Sequence, residues 1–279
     1  MRPPYSSVVT RTAFVLGGGG NLGAIQVGML GAALEVGLTP DFLIGCSVGA
    51  LHAGVLAAEP NLKGVAVLER VWRGVDVASL FPTGRSVLGL LTSRGLALRG
   101  DTALRHLVET AIPFSRFEDA VVPLHVVTTS LRTGRERWFD HGPVIEPILA
   151  SAALPAVFPP VEIDGELLVD GGVVDNVPVS RAIALGAERV VVFHVGNFDR
   201  ARPAPKRPID VLLQAFSIAR SYRFLAETEI PPPGVELVVL PGFDPGPLRR
   251  NDFSHSNALI DKAWGATRTF LTELVSDQA

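Results

Sequence analysis

Apolar residues in this chain fall in short runs that glycines break, and the runs alternate with longer stretches of helical spacing. Residues 13–16 (Ala-Phe-Val-Leu) predict a first buried strand. Residues 24–36 then predict a helix whose broad apolar face carries Ile25, Val27, Met29, Leu30, Ala33 and Leu34, with Gly37 suited to its C-terminal end. Residues 42–44 predict a second buried strand that breaks at Gly45, and the small and apolar residues 48–58 predict the helix after it. A helix over 61–77, with Trp72 on its inner face, and one over 102–110, capped by Asp101, come next.

The pattern then turns β-rich. A β-branched strand over 124–129 pairs with a hairpin partner over 136–139 across a turn at Gly134. Residues 143–151 suit a short helix with proline at its start, and 152–160 form an apolar linker too rich in proline to be helical. Asp164-Gly165 between 161–163 and 166–169 is a two-residue hairpin signal. A helix over 178–185, a buried strand over 190–195, an exposed linker over 198–208, a long amphipathic helix over 209–228, a strand over 235–240 and a closing helix over 254–275 complete the chain. Strands alternating with helices predict an α/β fold with a mainly parallel sheet covered on both faces. The expected layout is an extension over 1–12 and a single domain over 13–279. Only 79–100 resists a period: leucines interspersed with Gly and Arg read as a loop and short helix on the body, or as a flap lining an acyl-chain pocket or touching lipid.

Composition narrows the classes. Of 279 residues, 47% are hydrophobic and 19% charged, enough apolar material for a sizeable core. A net charge of -3 argues against a nucleic-acid surface. The one cysteine, Cys46, excludes a disulfide framework within the chain and reads as a small core residue. Residues 1–12 lack the apolar core of a signal peptide, and no apolar stretch is long enough to span a bilayer. The expected location is cytoplasmic, with peripheral membrane contact left open.

The candidate chemistry sits on two glycine-rich turns. Gly45-Cys46-Ser47-Val48-Gly49 lies where a strand meets a helix, the setting of a nucleophile elbow: the tight turn exposes Ser47, and Gly45 and Gly49 remove side chains that would collide there. The loop Gly17-Gly18-Gly19-Gly20-Asn21-Leu22-Gly23 has two readings. It matches the dinucleotide fingerprint, but the acidic residue at the right distance, Asp41, precedes its strand and so belongs at the opposite sheet edge. The favoured reading is an oxyanion hole built from the backbone N–H groups of Gly18, Gly19 and Gly20. For a base, His255 is the only histidine placed late, with Asp244 and Asp252 nearby. Asp170 is the better candidate: it ends a strand, and Gly171 and Gly172 after it let another backbone approach. In an apolar pocket desolvation raises a carboxyl's pKa toward a useful range.

In this order the glycine loop, the Ser47 elbow, Ala150-Ser151-Ala152-Ala153-Leu154-Pro155 and Asp170-Gly171-Gly172, with Asn176 and Pro178 after them, resemble patatin-like phospholipases. The resemblance runs over about 13–195. It implies a three-layer α/β/α sandwich, a Ser47–Asp170 dyad without a catalytic histidine, no cofactor, usually no metal, and hydrolysis of lipid or other acyl-ester substrates. One departure stands out. Many members of the family carry Arg or Lys just before the last loop glycine, where this chain has Leu22. That shifts weight from phosphorylated substrates toward neutral esters.

Overall fold

The computed structural model describes residues 10–74, 102–155, 157–195, 204–205, 208–243 and 253–276. The apolar segment 79–100, the cap Asp101, Asp244, Asp252, most of the 198–208 linker and most of the 1–12 extension lie outside the described residues. The elements come close to the pattern of the sequence. Strands are β1 (Thr12–Leu16), β2 (Phe42–Gly45), β3 (Leu124–Ser130), β4 (Glu136–Phe139), β5 (Val161–Ile163), β6 (Glu166–Asp170), β7 (Arg189–Phe193) and β8 (Glu236–Val239). The described α-helices are α1 (Gly23–Glu35), α2 (Val48–Ala58), α3 (Leu62–Gly74), α4 (Thr102–Ala111), α5 (Ile145–Ser151), α6 (Val179–Ala184), α7 (Pro208–Thr228) and α8 (Ser256–Ser276). Helix α5 starts two residues after Pro143 rather than at it. The β5–β6 turn places Asp164 at φ 52° and Gly165 at φ 74°, the paired positive φ values of a tight hairpin.

Hydrogen-bonded neighbours in the sheet run β5-β6-β3-β2-β1-β7-β8, with β4 also paired to β3. The sheet is mixed: β2, β1, β7 and β8 form a parallel block with β3, whereas β4, β5 and β6 run antiparallel to their partners. Alternation along the strands builds two cores. Phe14, Leu16, Leu43, Val191 and Phe193 face one, covered by α1, α2, α3 and α8. Ala13, Val15, Phe42, Ile44, Val190 and Val192 face the other, where Val179, Ala182 and Phe224 close it from α6 and α7. This period-two split makes the three layers.

The register also places the site. Val126 of β3 pairs with Gly45 of β2 and with Phe139 of β4, so β2 and β4 lie on opposite edges of β3. Thr128 pairs with Arg137 of β4 and with Asp170 of β6, which puts β6 opposite β4 too. Strands β2 and β6 therefore share one edge of β3 and meet end to end. Gly45 and Asp170 stand against β3 residues only two apart, so the turn after β2 faces the last residue of β6.

Candidate active site

Ser47 occupies the turn between β2 and α2 with φ 55° and ψ -126°, a conformation that non-glycine residues rarely adopt. The turn is held from below. A Cβ on Gly49 would run into the Leu16 carbonyl of β1, so only glycine lets the two backbones close. Gly45 packs likewise against the Ala50 backbone. The Ser47 N–H donates to Ser151 Oγ at 2.9 Å, and Ser151 at the end of α5 is buried.

Ser47 Oγ donates to Asp170 Oδ2 at 2.7 Å. The other carboxylate oxygen accepts from the Gly172 N–H at 2.7 Å and faces Cys46 Sγ at 3.9 Å. Gly171 leaves room for the Val127 carbonyl, where a Cβ would sit only 2.5 Å away. Asp170 is buried, and burial pushes its carboxyl above the usual carboxylate range; the Arg220 guanidinium and the hydrogen bonds from Ser47 and Gly172 pull the other way. Cys46 is buried in the core as its type suggests, and burial together with the Asp170 charge raises its thiol well above the ordinary value.

The glycine loop follows β1 and runs beside Ser47. A Cβ on Gly18 would sit 2.5 Å from Asn176 Oδ1 and 3.0 Å from Ser47 Cβ. The three glycines differ in what their N–H groups do. The Gly18 N–H donates to the Asn176 carbonyl at 3.1 Å and is therefore engaged, which corrects its place among the expected oxyanion donors. Among the described residues the N–H groups of Gly19 and Gly20 donate to no protein acceptor. Leu22 is half-buried against the core.

A buried polar chain anchors the loop's start. Gln26 Nε2 donates to the carbonyls of Gly17 and Phe193, both at 2.8 Å, tying the ends of β1 and β7 together. Its Oε1 accepts from His52 Nδ1 at 2.8 Å, and Trp72 Nε1 donates to His52 Nε2 at 2.8 Å. These two partners assign His52 the neutral Nδ1–H tautomer, and burial lowers its pKa to about 3. Both ring nitrogens are thus committed to structure. No described histidine lies within hydrogen-bond distance of Ser47 Oγ; His255 is exposed just ahead of α8. Asp41 bonds Thr12 at the start of β1, the sheet end opposite the glycine loop, which leaves the loop without the acidic partner of a nucleotide site.

Sequence reasoning missed several of these groups. Ser151 stands inside a quoted motif but had no assigned role. Gln26 and Arg220 carry no motif at all: Arg220 on α7 donates from Nη2 to Asn176 Oδ1 and, at 3.3 Å, to the Gly18 carbonyl. The Asn176 side chain also donates to that carbonyl at 3.2 Å.

A mixed sheet flanked by helices, carrying a serine on a strained strand-to-helix turn against a buried carboxylate, has the build of an α/β ester hydrolase. The chain belongs to the patatin-like phospholipase family, whose family model matches residues 14–183. It is 30% identical over 189 residues to patatin-like phospholipase domain-containing protein 7 of Rattus norvegicus, covering 67% of this chain and 14% of that protein. It is 31% identical over 211 residues to lysophospholipase NTE1 of Mycosarcoma maydis, covering 72% of this chain and 11% of that protein. An uncharacterized NTE family protein of Mycobacterium bovis is 31% identical over 194 residues, covering 70% of this chain and 51% of that protein. The chain thus spans between about a tenth and about half of these relatives. Among solved structures, VipD from Legionella pneumophila superposes with a TM-score of 0.48 at 15% identity, covering 92% of this chain and 68% of that one.

Proposed function

We propose that this chain hydrolyses acyl esters of lipids by two-step acyl transfer through a Ser47–Asp170 dyad. The observation that carries the reading is the 2.7 Å hydrogen bond from Ser47 Oγ to a buried carboxylate, made by a serine in a strained turn. Ser47 Oγ attacks the ester carbonyl while Asp170 takes its proton. The carbonyl oxygen becomes an oxyanion that the Gly19 and Gly20 N–H groups receive, each donor worth roughly 3 kcal/mol. The alcohol leaves with the proton from Asp170. Water then attacks the acyl-serine, Asp170 takes its proton, and the fatty acid and free Ser47 return. Residues 13–279 work as one unit in this reading, because α7 reaches the site from outside the matched segment. A fluorophosphonate probe is expected to label the wild-type protein, and a panel of p-nitrophenyl esters, acylglycerols and phospholipids to show turnover. A folded sample that takes no label and turns over none of the panel overturns the proposal.

The substrate of such an enzyme is held in an aggregate, and α7 supports direct contact with one. Its inner face carries Arg220, Phe224 and Glu227. Its outer face, from Val211 through Ala215, Ile218, Ala219, Tyr222 and Leu225 to Ala226, is exposed and apolar apart from the Tyr222 hydroxyl, with Tyr222 76% and Val211 54% accessible. An amphipathic helix whose apolar side faces out is the inverse of a helix packed only on its own protein. The sequence just ahead of it is basic, with Arg200, Arg202, Lys206 and Arg207, which complements an anionic lipid surface. Among the described residues no helix is long and apolar enough to cross a membrane. Replacing both Ile218 and Tyr222 by Glu is expected to abolish cosedimentation with phosphatidylglycerol vesicles while turnover of soluble p-nitrophenyl butyrate stays at the wild-type rate. Unchanged vesicle binding, or a wild-type dimer that the double variant splits, would refute the lipid contact.

A further inference from the structure

Gly17, Gly18, Gly19 and Gly20 give the loop no side chain with which to fix itself, and four consecutive glycines lose more conformational freedom on ordering than any other sequence. The loop is nevertheless held on both sides of Gly18. The Gly18 carbonyl accepts from Asn176 Nδ2 at 3.2 Å and from Arg220 Nη2 at 3.3 Å, while the Gly18 N–H donates to the Asn176 carbonyl at 3.1 Å. Arg220 Nη2 also bonds Asn176 Oδ1, so it orients the side chain that shares the clamp. In a trans peptide the carbonyl and the following N–H point to opposite sides. Whatever fixes the Gly18 carbonyl therefore fixes the direction of the Gly19 N–H.

We propose that Arg220 is a positioning residue for the oxyanion site: from α7 it holds the Gly18 carbonyl and the Asn176 side chain, and so aims the Gly19 N–H at the reacting ester. This rests on the dyad reading above and assigns a role in it to a helix outside residues 14–183. Three observations converge on the clamp. A Cβ on Gly18 would touch Asn176, Ser47 and Arg220 together, at 2.5, 3.0 and 3.4 Å, so loop, nucleophile and guanidinium meet at that glycine. The same face of α7 grips the neighbouring segment through Arg223, which donates to the Val174 carbonyl at 2.9 Å and to Asp175 Oδ2 at 2.8 Å. Finally, the loop carries no cation of its own, since Leu22 packs into the core, and Arg220 supplies one from outside. The charge reaches Asp170 as well, where it opposes the upward push of burial. The other groups acting on Asp170 are the Ser47 hydroxyl, the Gly172 N–H and the Cys46 thiol; none of them is a cation.

The test is the pH-dependent turnover of soluble p-nitrophenyl butyrate by wild type, Arg220→Gln and Arg220→Lys. In Arg220→Gln the carbonyl clamp slackens and the cation is gone. The expected result is a kcat lower by about 10- to 100-fold with KM within about threefold, because a misaimed oxyanion donor acts on the transition state. The acidic limb of kcat/KM moves to higher pH in that variant, since Asp170 loses the charge that favours its carboxylate. Arg220→Lys restores the limb to its wild-type position with kcat between the two, because it keeps the charge without the planar fork. A wild-type kcat in Arg220→Gln, a loss confined to KM, or a limb that does not move overturns the proposal. If Arg220→Gln fails to fold, Arg220→Lys decides: a kcat several-fold down with the limb in place supports it, and a wild-type kcat overturns it. Fluorophosphonate labelling separates the two levels. An unlabelled wild type means that the dyad reading has failed, whereas labelled wild type beside fully active Arg220 variants means that only the positioning role has.

Discussion

Asp170→Asn is expected to lower kcat on a soluble ester by about three orders of magnitude, since one general base contributes roughly 10²–10⁴ and this one serves both steps. The substitution keeps the shape of the side chain. An amide oxygen can still accept from Ser47 Oγ, as Oδ2 does now at 2.7 Å, although the amide NH2 then meets the Gly172 N–H, donor against donor, where Oδ1 now accepts. What it removes is the ability to take a proton. The wild-type carboxyl is suited to that task because burial raises its pKa, while Arg220 and two hydrogen bonds keep the carboxylate accessible. Activity should therefore fall as pH drops through a value above the ordinary carboxylate range. His255→Ala, a change at an exposed position ahead of α8, should keep most of the activity. A near-wild-type Asp170→Asn enzyme, or a folded His255→Ala enzyme without activity, would remove Asp170 from the role of base.

The same substitution has a stability signature with a definite sign. A carboxyl whose pKa is higher in the folded than in the unfolded chain binds its proton more tightly when folded. Wild-type stability is then penalised progressively as pH rises from the ordinary carboxylate value toward the raised one. The neutral amide of the Asp170→Asn variant carries no such penalty, so its melting temperature relative to wild type should be higher at pH 8 than at pH 4. A relative melting temperature that does not change with pH contradicts the raised pKa.

The parts of this site that were legible from sequence are those set by local rules. A run ending in Gly-x-Ser-x-Gly before a helical stretch implies a tight turn, and the positive φ of Ser47 is its consequence. Asp164-Gly165 between two short runs likewise marks the β5–β6 hairpin. Even the pairing of Ser47 with Asp170 came from chemistry and motif order rather than from contact information. The reason those residues meet lies in the sheet. Strand β6 runs antiparallel along the β3 edge that β2 has vacated, and nothing in either strand's own pattern specifies a shared edge.

What was illegible is long-range and polar. Arg220 lies 202 residues from Gly18, and Gln26 reaches 167 residues to Phe193. A half-buried arginine on a helix and a buried glutamine in an apolar stretch have no period that distinguishes them from surface residues. The hydrophobic pattern is a poor guide for α7, because Phe224 packs into the core while Val211, Ile218, Tyr222 and Leu225 mark the exposed side. The expected amphipathic helix exists, but its polar face, with Arg220, Arg223 and Glu227, is the one turned to the protein. Which loop glycines keep an unengaged N–H could not be resolved for a related reason: Gly18, Gly19 and Gly20 are equivalent in sequence, and only the long-range bond from the Gly18 N–H to the Asn176 carbonyl separates them.

Ser47→Ala and Ser47→Gly are both expected to lower kcat by about four orders of magnitude or more, since neither offers a nucleophile and the oxyanion donors alone leave only a residual rate. Their stabilities should differ. Both lose the hydroxyl that bonds Asp170, so that loss cancels in a comparison between them. What remains is the backbone at φ 55° and ψ -126°. Alanine keeps the strain of a Cβ there, of order 1–3 kcal/mol, whereas glycine removes it and gives back roughly 0.5–1 kcal/mol through the greater freedom of its unfolded chain. Ser47→Gly should thus exceed Ser47→Ala by about 1 kcal/mol in urea unfolding, within the strain estimate less the entropy term. The turn has room for this relaxation to register, because Gly49 and Gly45 hold the flanking backbone against Leu16 and Ala50 whichever residue stands at 47. An Ala variant as stable as the Gly variant would mean that the serine's backbone carries no strain. Strain at the nucleophile would then have no part in exposing Oγ to the substrate, and the hydrogen bond to Asp170 alone would account for its orientation.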